Sequence, residues 1–142
     1  MRAALLLAIA TLTVPMGFAQ DGAALPKWSN ALLTKPADWY ATEEARAVAD
    51  RVARHQSEHG AWPKNRDLTG PPVTGGAATD SSANTIDNDA TTSPVRFLAS
   101  VASSAGGEAY RAPVLRGVDY LLKSQYENGG WPQFFPLREG YY

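Results

Sequence analysis

Residues 84–92 read Asn-Thr-Ile-Asp-Asn-Asp-Ala-Thr-Thr, so Asp87 and Asp89 stand two apart with Asn88 between them. Two carboxylates and an amide in so short a span make an oxygen-rich patch, suited to accept hydrogen bonds from hydroxyls or to ligate a hard cation. The same residue types also start helices, and by type alone Asp87 or Asn88 reads first as an N-cap that satisfies free backbone N–H groups. Asp89 fits equally well as a first-turn helix charge. Lys64 and Arg66 follow Trp62-Pro63. Solvated surface charge is the common role of such residues, and Lys64, directly behind the turn, is the better candidate for a site. His55 and His59 have the four-residue spacing of a helical metal pair. No third ligand lies nearby and Gly60 places His59 at a frayed end, so imidazoles at a helix C-terminus are the simpler reading. No nucleophile motif, phosphate loop or nucleotide fingerprint is present.

The elements that must position these residues are helical. Thr42 offers an N-cap hydroxyl followed by Glu43 and Glu44, whose charges suit the positive helix end. Ala45, Val48, Ala49, Val52, Ala53 and Gln56 then recur at three- and four-residue steps, marking one face of a helix that ends near Gly60. Residues 64–83 are rich in Gly, Pro, Ser and Thr and carry no period, which marks a functional or mobile loop. A second helix is expected over residues 88–103, with Phe97, Leu98, Val101 and Ala102 on its apolar side. A third is expected over residues 108–126, with a stripe of Leu115, Val118, Leu121 and Leu122. Pro94 and Pro113 are tolerable only in first turns. No alternating run is long enough for a strand, and the class is all-α.

A repeat organises these helices. Gln56-Ser-Glu-His-Gly60-Ala-Trp62-Pro63 matches Gln125-Tyr-Glu-Asn-Gly129-Gly-Trp131-Pro132 at an offset of 69 residues, and Asp50 and Asp119 keep the same offset. Each copy follows a helix and a further helix lies between them, so the unit is a helical hairpin. Gly60 and Gly129 permit the left-handed turn that closes a helix. The proline after each tryptophan forbids the helix from resuming. Each glutamine, on the last turn, can bond backbone of the adjacent repeat. Trp62 and Trp131 read as wedges between helical pairs ahead of ligand platforms.

Hairpins ending in Gln-x-x-x-Gly-[Ala/Gly]-Trp-Pro resemble those of α/α toroids. The stretch around Thr85-Ile86-Asp87-Asn88, Arg96-Phe97-Leu98-Ala99 and the run from Tyr120 to Tyr142 make the resemblance more specific. Together they are similar to polysaccharide lyase family 10, the pectate lyases with an (α/α) toroid fold, over residues 41–142. The resemblance implies an incomplete toroid and cleavage of polygalacturonate (pectate) by calcium-assisted β-elimination, with an arginine as base. It places Asp87 and Asn88 in the substrate groove and makes Lys64 a candidate partner for a polyuronate. It also implies that the acidic calcium ligand and the catalytic arginine lie past Tyr142, so no catalytic residue is expected here and the 142-residue chain is expected to be inactive alone. Phe134, Phe135, Tyr141 and Tyr142 could stack on sugar rings or fill the core, with the core favoured for the phenylalanines. The alternatives are a non-catalytic carbohydrate-binding fragment, or another toroid enzyme such as a terpene cyclase or glycoside hydrolase. The Thr85–Asn88 motif argues against the latter.

Composition bounds the setting. Residues 1–19 read as a secretory signal, with Arg2 in the n-region, an apolar run from Leu5 to Val14, and small residues before the cleavage point. The run is too short for a bilayer span, which takes about 20 apolar residues. A secreted or periplasmic protein, not held in a membrane after cleavage, is expected. Residues 20–40 read as an irregular arm. Without the signal, 123 residues remain, with 12 basic against 14 acidic side chains. That balance argues against a nucleic-acid partner, which wants a clustered basic face. Cysteine is absent, so the core alone must hold an expected monomer together.

Overall fold

The computed structural model describes residues 24–72 and 82–139. The expected signal peptide, part of the residue 64–83 loop, and Tyr141 and Tyr142 lie outside the described residues. Three α-helices carry the fold: α1 (Glu43–Arg54), α2 (Thr92–Ala102) and α3 (Arg111–Ser124). Helix α2 packs against both of the others. Four short 3-10 turns, Asn30–Thr34, Ala37–Ala41, Asp87–Asp89 and Glu108–Tyr110, precede or link them. No strand occurs among the described residues, and a single antiparallel bridge joins Thr85 to Phe134.

Helix α1 forms as its sequence dictates. Thr42 Oγ1 accepts from the Ala45 N–H at 3.1 Å, Glu43 and Glu44 occupy the first turn, and Arg51 and Arg54 the last. Ala45, Val48, Ala49 and Val52 are fully buried. They meet Phe97, Leu98 and Val101 of α2 in one core. Residues 24–41 lack α-helix and strand but are packed: Leu32 and Tyr40 are buried, and Trp28 lies edge-on to Phe97 with centroids 5.5 Å apart.

Two expected helices begin later than their composition implied. Helix α2 starts at Thr92, four residues after Asn88, because Asn88 and Asp89 adopt φ of 54° and 57°. Left-handed residues cannot continue a right-handed helix, and asparagine and aspartate are the side chains that tolerate that conformation best. Residues 108–110 form a 3-10 turn, and α3 runs only from Arg111 to Ser124. Pro94 and Pro113 each fall in a first turn, where the missing N–H costs nothing.

The stripe on α3 is corrected. Leu115, Val118 and Leu122 are exposed, and the buried face is Pro113, Gly117, Tyr120 and Ser124. Gly117 is the reason. It seats the Trp62 indole so closely that a methyl there would collide with Val95 Cγ2 and lie 3.1 Å from Trp62 Cζ3. A search for large apolar residues passes over a helix face defined by a missing side chain.

Candidate functional site

The two motif copies build one framework bond for bond. In the first, Trp62 Nε1 donates to Val52 O at 2.7 Å, Ser57 N to Ala61 O at 2.8 Å, and Gln56 Nε2 to Gly60 O at 2.9 Å. In the second, Trp131 Nε1 donates to Leu121 O at 2.8 Å, Tyr126 N to Gly130 O at 2.8 Å, and Gln125 Nε2 to Gly129 O at 3.0 Å. Gly60 and Gly129 both have left-handed φ, of 95° and 85°. They close a turn placed after the helix, since α1 and α3 end at Arg54 and Ser124. Gln56 reaches the adjacent repeat as its position suggested, donating to Pro113 O at 2.9 Å. Gln125 bonds only its own turn among the described residues.

The residue that follows Trp-Pro is Lys64 in one copy and Gln133 in the other. Lys64 Nζ lies 2.8 Å and Gln133 Nε2 2.7 Å from the same atom, Asp87 Oδ2. Repeat-equivalent positions thus converge on one carboxylate. Backbone fixes the meeting point: Ile86 N donates to Gln133 O, Phe135 N to Asn84 O, and Thr85 Oγ1 to Gln133 O. Thr91, fully buried, donates from Oγ1 to Thr85 O and accepts from Trp62 N, tying the first motif to the same turn. Phe134 is buried beneath the site, with Lys64 Nζ 5.1 Å and Arg138 Cζ 3.9 Å from its ring centre. Core placement for this phenylalanine agrees with the sequence reading.

The Lys64 hydrogen bond is the largest influence on Asp87 and holds its carboxyl below the ordinary 3.8. Gln133, the Lys64 charge and the Asn88 N–H add to this against an opposing burial effect. Asp87 is therefore an anion throughout the neutral range. Neither it nor Asn88 caps α2, whose N-cap position is Thr91, with no side-chain capping bond. Asp87 lines a groove of about 540 Å³ with Ile86, Tyr126, Trp131, Pro132 and Gln133. Trp131 is 47% exposed and Tyr126 46%, so the second tryptophan keeps an open ring face while Trp62 is fully enclosed. Asn88 is placed elsewhere. It lines a neighbouring cavity, and its Nδ2 donates to Asn65 Oδ1 at 3.3 Å.

Gln133 was not singled out by residue type; only its 69-residue offset from Lys64 could have found it. The two histidines face different partners. His55 Nε2 sits 3.1 Å from Gly70 O and His59 lies 3.8 Å from Glu58. Among the described residues no group of three His, Cys, Asp or Glu is placed to hold an ion. The groove fits calcium poorly on its own, because Asp87 is its one carboxylate and an ammonium and an amide already donate to that group.

Comparison with known proteins agrees with this architecture. The family model described as pectic acid lyase matches residues 56–142. A mutant of the family 10 polysaccharide lyase from Cellvibrio cellulosa, solved in complex with trigalaturonic acid, is similar at 34% identity and a TM-score of 0.57, over 82% of this chain and 36% of its own. Another structure, of the family 10 polysaccharide lyase from Cellvibrio cellulosa, shares 36% identity at a TM-score of 0.53, over 75% of this chain and 33% of its own. No curated protein matches. The chain spans about a third of the length of these structures. With the helical hairpins, the repeated Trp-Pro turns and a family model covering more than half of its residues, this chain belongs to the pectic acid lyases of polysaccharide lyase family 10.

Proposed function

We propose that the chain forms the part of a pectate lyase that grips polygalacturonate, through the groove at Asp87. The observation that carries this reading is the Asp87 carboxylate, clamped on Oδ2 from both repeats and open to a groove floored by Pro132 and flanked by the exposed rings of Trp131 and Tyr126. Each element suits an acidic sugar. The fixed carboxylate accepts from ring hydroxyls, and the indole offers an apolar face to the C–H side of a pyranose. The Lys64 ammonium, 2.8 Å from Asp87 Oδ2, would pair with a uronate carboxylate brought up to that group. The trigalaturonic acid bound to the related lyase supports the substrate class.

In this reading the whole enzyme cleaves by β-elimination. Calcium, when bound, would stabilise the negative charge that builds as the proton beside the uronate carboxylate is removed. Its oxygens would come from the sugar and from outside this groove, which offers one carboxylate already bonded to an ammonium. The contribution of this chain is to bind and orient: Asp87 and Lys64 set the register of the acidic sugar, and Trp131 sets its tilt. Export to the periplasm or medium, where pectate is met, follows from the leader in residues 1–19.

Calorimetry of the 142-residue polypeptide with oligogalacturonate tests the reading. Binding that disappears in Asp87→Ala is expected, with no heat from calcium alone and no unsaturated product at ultraviolet wavelengths. Absence of binding, or binding indifferent to Asp87, would defeat it. Product formation would show that the chain carries its own base.

A further inference from the structure

One buried oxygen anchors both sides of the Asp87–Gln133 contact. Asp87 N donates to Thr85 Oγ1 at 3.1 Å, and Thr85 Oγ1 donates to Gln133 O at 2.6 Å. The main chain of the groove carboxylate and the main chain of the amide that reaches it therefore hang from the same hydroxyl. Resting on the reading of the groove as a polygalacturonate site, we propose that Thr85 is a positioning residue, whose hydroxyl sets the separation of Asp87 and Gln133 and so aims the carboxylate that meets the sugar.

The polarity of these bonds demands a hydroxyl. A carbonyl oxygen only accepts, so the Thr85 proton is committed to Gln133 O, and a lone pair of the same oxygen takes the Asp87 N–H. Valine has the same shape and can do neither. Thr85 is fully buried, so both bonds are shielded from solvent, where a hydrogen bond is stronger and its loss costlier than at the surface. The anchor is itself braced. Thr91 Oγ1, also fully buried, donates to Thr85 O at 2.8 Å, and Gln133 O accepts a second bond from Ile86 N at 3.1 Å.

The backbone on either side needs such bracing. Asn84, just before Thr85, and Asn88, just after Asp87, are both left-handed, with φ of 56° and 54°. That conformation is costly for a residue with a side chain and persists where the surroundings impose it, a pattern that marks functional turns. Between the two asparagines, Asp87 Oδ2 lies 2.8 Å from Lys64 Nζ and 2.7 Å from Gln133 Nε2. Contacts of this kind weaken when their groups drift by about half an ångström, so the atoms behind them must be fixed. Thr85 Oγ1 fixes Asp87 and Gln133 together, and it touches neither the groove nor the carboxylate oxygens.

Thr85→Val and Thr85→Ser in the 142-residue polypeptide separate aim from packing. Valine keeps the shape and deletes the hydroxyl, whereas serine keeps the hydroxyl and deletes the methyl. Each variant is read by the Asp87 carboxyl titration in nuclear magnetic resonance, by calorimetry with oligogalacturonate, and by its denaturant midpoint. In Thr85→Val the Asp87 carboxyl is expected to rise toward its ordinary 3.8. Oligogalacturonate is expected to bind it about tenfold more weakly, the loss of about one charge-assisted contact. Thr85→Ser is expected to leave the titration in place and the affinity within about twofold, even where its midpoint falls, because the methyl contributes packing alone. A folded Thr85→Val with the Asp87 titration or the affinity unmoved overturns the proposal. So does Thr85→Ser that shifts the titration as far as valine does, since the methyl is then the cause. Where Thr85→Val does not fold, Thr85→Cys takes its place: a thiol of similar size makes only weak bonds, the same rise is expected, and an unmoved titration again overturns the anchor. The titration needs no sugar. A shift in Thr85→Val beside a wild-type protein that binds no oligogalacturonate therefore keeps Thr85 as the anchor of Asp87 and removes the polygalacturonate reading, while wild-type binding with an unmoved titration in Thr85→Val does the reverse.

Discussion

The same eight-residue turn occurs twice in this molecule, once enclosed and once open. Its internal hydrogen bonds hardly differ: the tryptophan bonds the carbonyl ten residues back at 2.7 Å in one copy and 2.8 Å in the other. Its environment differs entirely. Trp62 is fully buried between α1, α2 and the Gly117 seat of α3, whereas Trp131 is 47% exposed. Gln56 adds bonds to Pro113 O and from Arg116, and among the described residues Gln125 has only its own turn. The shape of the motif is thus local, written in its glycine, glutamine and Trp-Pro, while its burial is supplied by a following helix. Where a following helix packs on the turn, as α3 does through Gly117, the indole is core.

Substitutions made in pairs, one per copy, test this contrast. Trp62→Ala should cost about 3–5 kcal/mol, near the whole stability of a small domain, and Trp131→Ala only about 1–2 kcal/mol. Denaturant midpoints read the difference, and equal costs would break the contrast. Next come the glycines. Alanine at Gly60 would both sit at φ 95° and strike the Arg116 carbonyl, whereas at Gly129 the nearest other atom is Gln125 Nε2 at 4.0 Å. Gly60→Ala should therefore cost about 3 kcal/mol or more and Gly129→Ala about 1–2 kcal/mol, the left-handed strain alone. Gln56→Leu leaves the Pro113 carbonyl and the Arg116 guanidinium without their bonds, for about 2 kcal/mol, against less than about 1 kcal/mol for Gln125→Leu.

The smallest effect concerns Asp87. Lys64→Met should raise its carboxyl toward 3.8 by more than Gln133→Met does, because the lysine brings both the stronger hydrogen bond and a charge. A carboxyl titration followed by nuclear magnetic resonance measures both. The sign for stability follows. A depressed folded value makes this contact stabilising above the ordinary carboxylate range and lost as pH falls through the folded value, so Lys64→Met should flatten the acid limb of stability.

Much of the scaffold was legible beforehand because it is local. The Thr42 cap, the Ala45–Val52 stripe and the Trp-Pro turns are each set by residues within a few positions of one another, and their periods survive folding. The α3 face was not legible. Its large residues Leu115, Val118 and Leu122 stand clear of the packing, and its contact is made through Gly117 and Tyr120, which only the arrival of Trp62 explains. Nor was the start of α2, since Asn88 and Asp89 suit a helix start and a left-handed turn equally well. Of the three side chains that meet at the candidate site, Asp87 and Lys64 stand out from motif and position. Gln133 was hidden, because an amide after Trp-Pro has no chemical signature until the repeat is superposed on itself.

The double grip on Asp87 gives this duplicated architecture a graded dial. Two positions 69 residues apart reach one oxygen, one through a lysine and the other through a glutamine, and an exchange of either for the other would keep a side-chain donor there. Three charge settings are therefore open to a lineage, with both positions cationic, one, or neither, and a lysine codon becomes a glutamine codon by changing its first base. The anion at the centre could be made weaker or stronger in steps while every backbone bond around it stayed in place.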